Sequence, residues 1–419
     1  MKQIKQIKSM ETFNVRGVRV VNVRVPYPTA FFSVYTLAGS MYESLANEGL
    51  AHFAEHMMFK GTTSRNWHDI NVAFAQHGAR NNAYTSNEDV VYFASFMPEH
   101  TAPMVELMTD LFFNSTFPSK EIVKERNVVM EERRTAYDDP SYEFMLNTSE
   151  AFFGRNVGHN AFGSEKQINE FSRQKVKQYL APLLNRENIM MLYVGDMPSS
   201  ELRLEIERNF PATHPYLIEG QSNANIAFPA WSKDTSDYHF VSSRVKQAQV
   251  AAMLPCMSVH DKRYRAAVMA ISALGAGSHS LLYETIREKM GLCYNVYART
   301  FSIYYPDAVA VNIASFLDKK NIDKFKLTTE KLIAKVCKQG LDPTLFECAK
   351  NMSVFNRFNA MSDPQGMGLA IAQKVFHKPT YNVDEESAEV MAVTREECNE
   401  VLRDIFVDKP MRWAVMEPK

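Results

Sequence analysis

Residues 49–62 read Gly-Leu-Ala-His-Phe-Ala-Glu-His-Met-Met-Phe-Lys-Gly-Thr, and no other stretch constrains this chain as tightly. On a helix, Glu55 and His56 fall roughly 60° behind and 40° ahead of His52, so the three side chains share one face. Two neutral imidazoles one turn apart can hold Zn²⁺, and the carboxylate between them lies beside the open coordination position as a candidate base. The order His-x-x-Glu-His is that of the inverzincins. Leu50, Phe53, Met57 and Met58 make the rest of the helix apolar, so it must pack, with the histidines facing an interior or a cleft.

A chain of 419 residues exceeds what one hydrophobic core holds and fits two domains of about 200 residues. With 47 Lys plus Arg against 48 Asp plus Glu, no net field attracts a polynucleotide, which argues against a nucleic-acid partner. The five cysteines are odd in number and form no Cys-x-x-Cys pair, which indicates free thiols in a reducing compartment. The N-terminus has no apolar signal core, and no apolar run approaches the ~20 residues of a membrane span. A soluble cytoplasmic protein with no membrane partner is expected.

The apolar patterning reads as a repeated plan. Strands are expected over 17–25 and 31–37, then the motif helix, then a helix over 66–76. A polar strand over 79–86 and an apolar one over 89–96 precede helices over 98–113 and from Ser119 to about residue 136. Helices over 142–153 and 166–179 and a strand over 189–194 close the first half. Residues 213–236 are aperiodic and are read as a linker. The second half repeats the order: strand 247–254, helices 263–274 and 280–290, strands 292–300 and 308–316, helices 322–337 and 343–358, and a last strand over 412–416. Two units of order ββααββαα, one with a metal motif, predict an α+β protein made by internal duplication. Its domains, 1–212 and 237–419, are each expected to be a mostly antiparallel sheet with helices packed on it.

The helix from Ser119 carries Glu125, Glu131 and Glu132. Glu125, Val128, Val129 and Glu132 stand at i, i+3, i+4 and i+7, a stripe that directs Glu125 and Glu132 inward and Glu131 away. A zinc held by two histidines needs a third protein ligand, and an inward carboxylate suits it. In the second half, residues 286–296 end a helix at Gly291 and deliver Tyr294 onto a strand.

Together these stretches resemble the M16 metallopeptidases, the family of pitrilysin, insulin-degrading enzyme and the mitochondrial processing peptidase; the length resembles the short M16B-type subfamily. The resemblance rests on 50–62, Asn82-Ala83-Tyr84-Thr85-Ser86, the run from Glu125 to Glu132, Gln247-Ala248-Gln249-Val250, and Arg287-Glu288-Lys289-Met290-Gly291-Leu292-Cys293-Tyr294. It implies the LuxS/MPP-like metallohydrolase fold and one Zn²⁺ per chain held by His52, His56 and Glu132. Glu55 is implied as general base and Glu125 as a supporting carboxylate. Asn82, Ala83 and Tyr84 are implied to lie on a strand edge that pairs with an extended substrate, and Arg287 and Tyr294 to approach its carbonyl. Ser280-Leu281-Leu282 departs from the Ser-Arg-Leu common in the family.

The implied activity is a zinc-dependent endopeptidase for peptides or unfolded protein segments, bound in a chamber between facing halves. Because the chain matches one half of a pitrilysin-sized enzyme yet carries both residue sets, a homodimer with composite sites follows. Two rivals stand beside it. A non-catalytic scaffold subunit should have lost one of His52, Glu55, His56 or Glu132, and none is missing. The zinc-bearing subunit of a heterodimeric processing peptidase would not need Arg287 and Tyr294, which are present.

Overall fold

The computed structural model describes residues 7–159, 161–223, 236–303 and 307–419. A first sheet is built from β1 (Ser9–Val15), β2 (Val18–Arg24), β3 (Ala30–Thr36), β4 (Arg80–Thr85), β5 (Val90–Phe96) and β6 (Ile189–Gly195). Its order is β1-β2-β6-β3-β5-β4, antiparallel except where β2 runs parallel to β6. A second sheet contains β7 (Tyr238–Ser242), β8 (Ala248–Pro255), β9 (Cys293–Ile303), β10 (Ala308–Leu317) and β11 (Arg412–Pro418). Its order is β7-β11-β8-β10-β9, with β7 parallel to β11 and the other pairs antiparallel. From β2 to β4 the first sheet therefore has the order, directions and chain sequence of the second. The fold is α+β, and the connectivity carries the duplication.

Strands β3 and β6 are buried at every residue, as their predominantly apolar sequences favour. On one face lies the core that includes Phe32, Val34 and Tyr193 and receives Leu50, Phe53, Met57 and Met58 from the motif helix, Leu50–Met58. Burying four such side chains, at about 1.5–3 kcal/mol each, secures a helix too short to persist alone. The other face is covered by the helix Pro364–His377. There Tyr35 and Phe376 lie 4.7 Å apart, and a Cβ on Gly368 would come within 2.3 Å of the Phe31 ring.

That covering helix comes from late in the chain, so the compact units are not sequential halves. The first comprises residues 1–136, 159–227 and 360–382; the second comprises 137–158, 228–359 and 383–419. The helix Pro140–Phe153 correspondingly packs on β8 of the second unit. A division into 1–212 and 237–419 misses this exchange, because each central strand needs an apolar cover on both faces. Residues 224–235 of the expected linker lie outside the described residues. Its earlier part is docked on the first unit, with Leu217 in the core and Asn223 N–H donating to Asn188 Oδ1 at 2.7 Å.

Three elements depart locally from the expected pattern. Strands β1 and β7 are edge strands with few buried residues, so neither carries a strong apolar pattern. The helix expected over 166–179 is two, Glu165–Glu170 and Arg173–Leu183, broken where Phe171 enters the core and Ser172 caps the next turn through Lys175 N–H. Within 280–290 the residues Tyr283–Lys289 form a π-helix, with Met290 N–H donating to Thr285 O. Among the described residues, no helix is long and apolar enough to cross a membrane.

Candidate metal centre

The motif helix buries its apolar side in the first core and turns His52 and His56 toward the helix Ser119–Asp138 and Glu55 toward Thr85. His52 Nε2 and His56 Nε2 are 3.2 Å apart. Glu132 Oε2 lies 3.3 Å from His56 Nε2 and 3.8 Å from His52 Nε2. Ligand bonds of about 2.0–2.1 Å at tetrahedral angles put neighbouring donor atoms about 3.3 Å apart. Two nitrogens and one carboxylate oxygen converging at that spacing fit a zinc ion, with a fourth position left open.

On the Ser119–Asp138 helix the inward direction runs between Glu125 and Val129, both buried, and takes in Ile122. Relative to Glu125, Val129 stands roughly 40° to one side and Glu132 roughly 20° to the other, with Val128 roughly 60° out. Glu132 is thus at the rim of the buried face, its side chain 42% exposed, while Glu131 is 68% exposed. Val128, expected to face inward with the stripe, is on the surface for the same reason.

Glu125 Oε1 meets His56 Nδ1 at 2.8 Å, and its other oxygen meets Lys60 Nζ at 2.6 Å. Burial opposes ionising Glu125, but these two partners outweigh it and hold the carboxyl below its ordinary range. Burial also opposes charging His56, yet its hydrogen bonds to Glu125 and Glu132 raise it to about 9. Burial first, then the neighbouring His56, pull His52 down to about 4. Glu132 is held below its usual range, chiefly by His56.

Glu55 is buried, and Thr85 Oγ1 on β4 donates to its Oε2 at 2.7 Å. Burial raises this carboxyl, with the Thr85 bond opposing the shift. Among the described residues the strand that presents Thr85 is an edge of the sheet, paired with β5 alone. It carries Asn82, Ala83 and Tyr84, and the Ala83 N–H goes to its neighbour's Asn82 Oδ1 at 2.9 Å instead of to β5. That N–H therefore faces the open edge.

Arg287 and Tyr294 belong to the second unit. Arg287 Nε donates to the Tyr294 carbonyl at 2.8 Å, and its guanidinium lies 4.7 Å from the Tyr283 ring and 5.5 Å from the Tyr294 ring. The Tyr294 side chain stands out from edge strand β9, 80% exposed. The two residues are thus in contact with each other. Sequence reasoning assigned no roles to Lys60 and Glu43, and placed Thr85 on the substrate strand without its bond to Glu55. Lys60 was discoverable, one turn beyond His56; Thr85 and Glu43 reach the helix through folding alone.

Residues 19–163 match the family model described as Insulinase (Peptidase family M16), and residues 170–353 match Peptidase M16 inactive domain. An uncharacterized zinc protease of Rickettsia bellii is 31% identical over 296 residues, covering 68% of this chain and 69% of the relative. One of Bacillus subtilis is 26% identical over 404 residues, 94% of each chain. The beta subunit of the mitochondrial processing peptidase of Rattus norvegicus is 32% identical over 189 residues, 44% of this chain and 38% of that one. A crystal structure of a protease from Helicobacter pylori superposes with TM-score 0.86 at 17% identity, covering 98% of this chain and all of the other.

Proposed function

Because this chain belongs to peptidase family M16, we propose that it is a zinc-dependent endopeptidase acting on peptides or unfolded protein segments. The observation that carries the reading is the convergence of His52 Nε2, His56 Nε2 and Glu132 Oε2 beside the buried Glu55 carboxylate. A zinc ion bound by the three residues supplies a Lewis acid and lowers the pKa of water toward about 7. Glu55, raised by its burial and aimed by Thr85, takes the proton of the attacking water and returns it to the leaving amine. Glu125 holds His56 in the tautomer that frees Nε2. The substrate pairs as an added strand along β4, where Ala83 N–H exchanges the Asn82 side chain for a substrate carbonyl. Tyr294 donates to the developing oxyanion and Arg287 orients its ring and backbone.

The family places zinc and Arg/Tyr residues in opposing halves, so we assign the activity to a homodimer whose sites combine the motif of one chain with Tyr294 of the other. Mixing Glu55→Gln chains with Tyr294→Phe chains should restore activity above either variant, in proportion to mixed dimer. If mass spectrometry detects mixed dimers and no activity returns, the composite site is wrong. Similarity to a processing-peptidase beta subunit supports a second reading, in which the partner is a different chain. Purified protein that cleaves an unstructured peptide without any other polypeptide, and stops when chelated, supports the homodimer; activity gained only with a second protein supports the heterodimer. Equal cleavage of a stable folded protein and its denatured form would count against both.

A further inference from the structure

The side chain of Glu43 is fully buried, and its carboxylate is committed to the start of the motif helix. Oε2 accepts from Gly49 N–H at 2.9 Å and Oε1 from Ala51 N–H at 2.5 Å. These are donors that helix geometry leaves without partners inside the helix. The usual cap is missing, because Gly49 sits at φ +89 with no side chain to accept them. Glu43 Oε2 also meets His159 Nε2 at 2.9 Å, and the two side chains are 0% and 3% exposed.

His159 is followed closely by residues that touch both halves of the metal centre. The Phe162 ring stands edge-on to His52, with centroids 5.0 Å apart. Gly163 O accepts from Arg133 Nε at 3.0 Å, and Arg133 is the residue after Glu132. The backbones interlock as well. A Cβ on Gly49 would fall 2.1 Å from Phe162 O, and one on Gly163 would fall 2.0 Å from Glu48 O.

We infer that His159, Phe162 and Gly163, anchored by the buried Glu43–His159 pair, form a brace that sets the distance between His52 and Glu132. The inference rests on the zinc reading above. The two ligands stand on different helices, and the brace connects them: His159 to the N-terminus of one helix through Glu43, Gly163 to the other through Arg133. Glu43 and His159 are positioning residues, and touch neither metal nor substrate. A brace of this kind lowers the cost of gathering the ligands when metal binds, so its loss weakens metal affinity in protein that is still folded.

The test is zinc affinity by competition with a chromogenic chelator, on full-length protein, at a temperature where circular dichroism reports each variant folded. His159→Leu should weaken zinc binding by about 10- to 100-fold. His159→Gln, which restores a donor to Glu43, should recover most of that loss. Arg133→Met, which leaves the buried pair intact but cuts the tie to the second helix, should weaken binding in the same direction. It serves as the decisive variant if His159→Leu does not fold. A purely structural role predicts lower unfolding midpoints with unchanged affinity. A folded His159→Leu or Arg133→Met that binds zinc within twofold of the parent would overturn the brace. Absence of zinc binding by the parent protein would overturn the metal reading instead.

Discussion

The Glu125 carboxylate lies 2.8 Å from His56 Nδ1, and because it is held ionised it can only accept, which puts the imidazole proton on Nδ1 and leaves Nε2 for a metal. The same carboxylate binds Lys60 Nζ at 2.6 Å, so the charge that orients His56 is itself fixed by a residue in the turn just past the end of the motif helix.

Removing that orienting group should be felt as affinity rather than as folding. Glu125→Ala is expected to weaken zinc binding by about 10- to 100-fold. Chelator competition checks this, and an affinity unchanged in the folded variant would mean that His56 is oriented by something else.

The open edge of β4 makes a separate prediction. Ala83→Pro removes the N–H that faces away from β5 and leaves the β4–β5 ladder its bonds. KM for an unstructured peptide should rise by about 3- to 10-fold, the worth of one hydrogen bond, with zinc content unchanged. Steady-state kinetics with an unaltered KM would remove β4 as the substrate strand.

Just after the motif helix the chain is tied down by Asp110. Its carboxylate accepts from Thr62 Oγ1 at 2.8 Å, Ser64 Oγ at 3.0 Å, Arg65 Nη1 at 2.7 Å and Asn114 Nδ2 at 2.9 Å. Burial opposes ionisation, but these donors win and the carboxyl is held below its ordinary range. A depressed folded pKa stabilises fully above the unfolded value of about 3.9 and is lost as pH falls through the folded pKa. Asp110→Asn should therefore cost about 1–3 kcal/mol at pH 7, and the gap to the parent should close below about pH 4. Unfolding midpoints of metal-free protein across that range check it; a gap independent of pH would contradict the assignment.

Much of this centre is legible in sequence because helical periodicity is local. His52, Glu55 and His56 need only one helix to come together, and the rank of Glu125 and Glu132 over Glu131 follows from angles on another. What periodicity cannot supply is where the second helix lies, so Thr85 against Glu55 and His159 against Glu43 are visible only after folding. The exchanged helices Pro140–Phe153 and Pro364–His377 escaped for a related reason. Each has an ordinary amphipathic sequence, and nothing local records which sheet it will cover. Val128 marks the limit of the stripe argument, since an offset of roughly 60° separates a buried position from an exposed one.

The most direct test of the central claim is zinc content and peptide cleavage measured together on the parent, Glu55→Gln and Glu132→Gln. The parent should carry one zinc per chain and cleave an unstructured peptide, losing both with a chelator. Glu55→Gln should keep zinc and lose about 10²- to 10⁴-fold in rate, because it removes a base and not a ligand. Glu132→Gln should lose metal affinity. A parent without metal, or a Glu55→Gln that loses zinc while Glu132→Gln retains it, would contradict the assignment of roles.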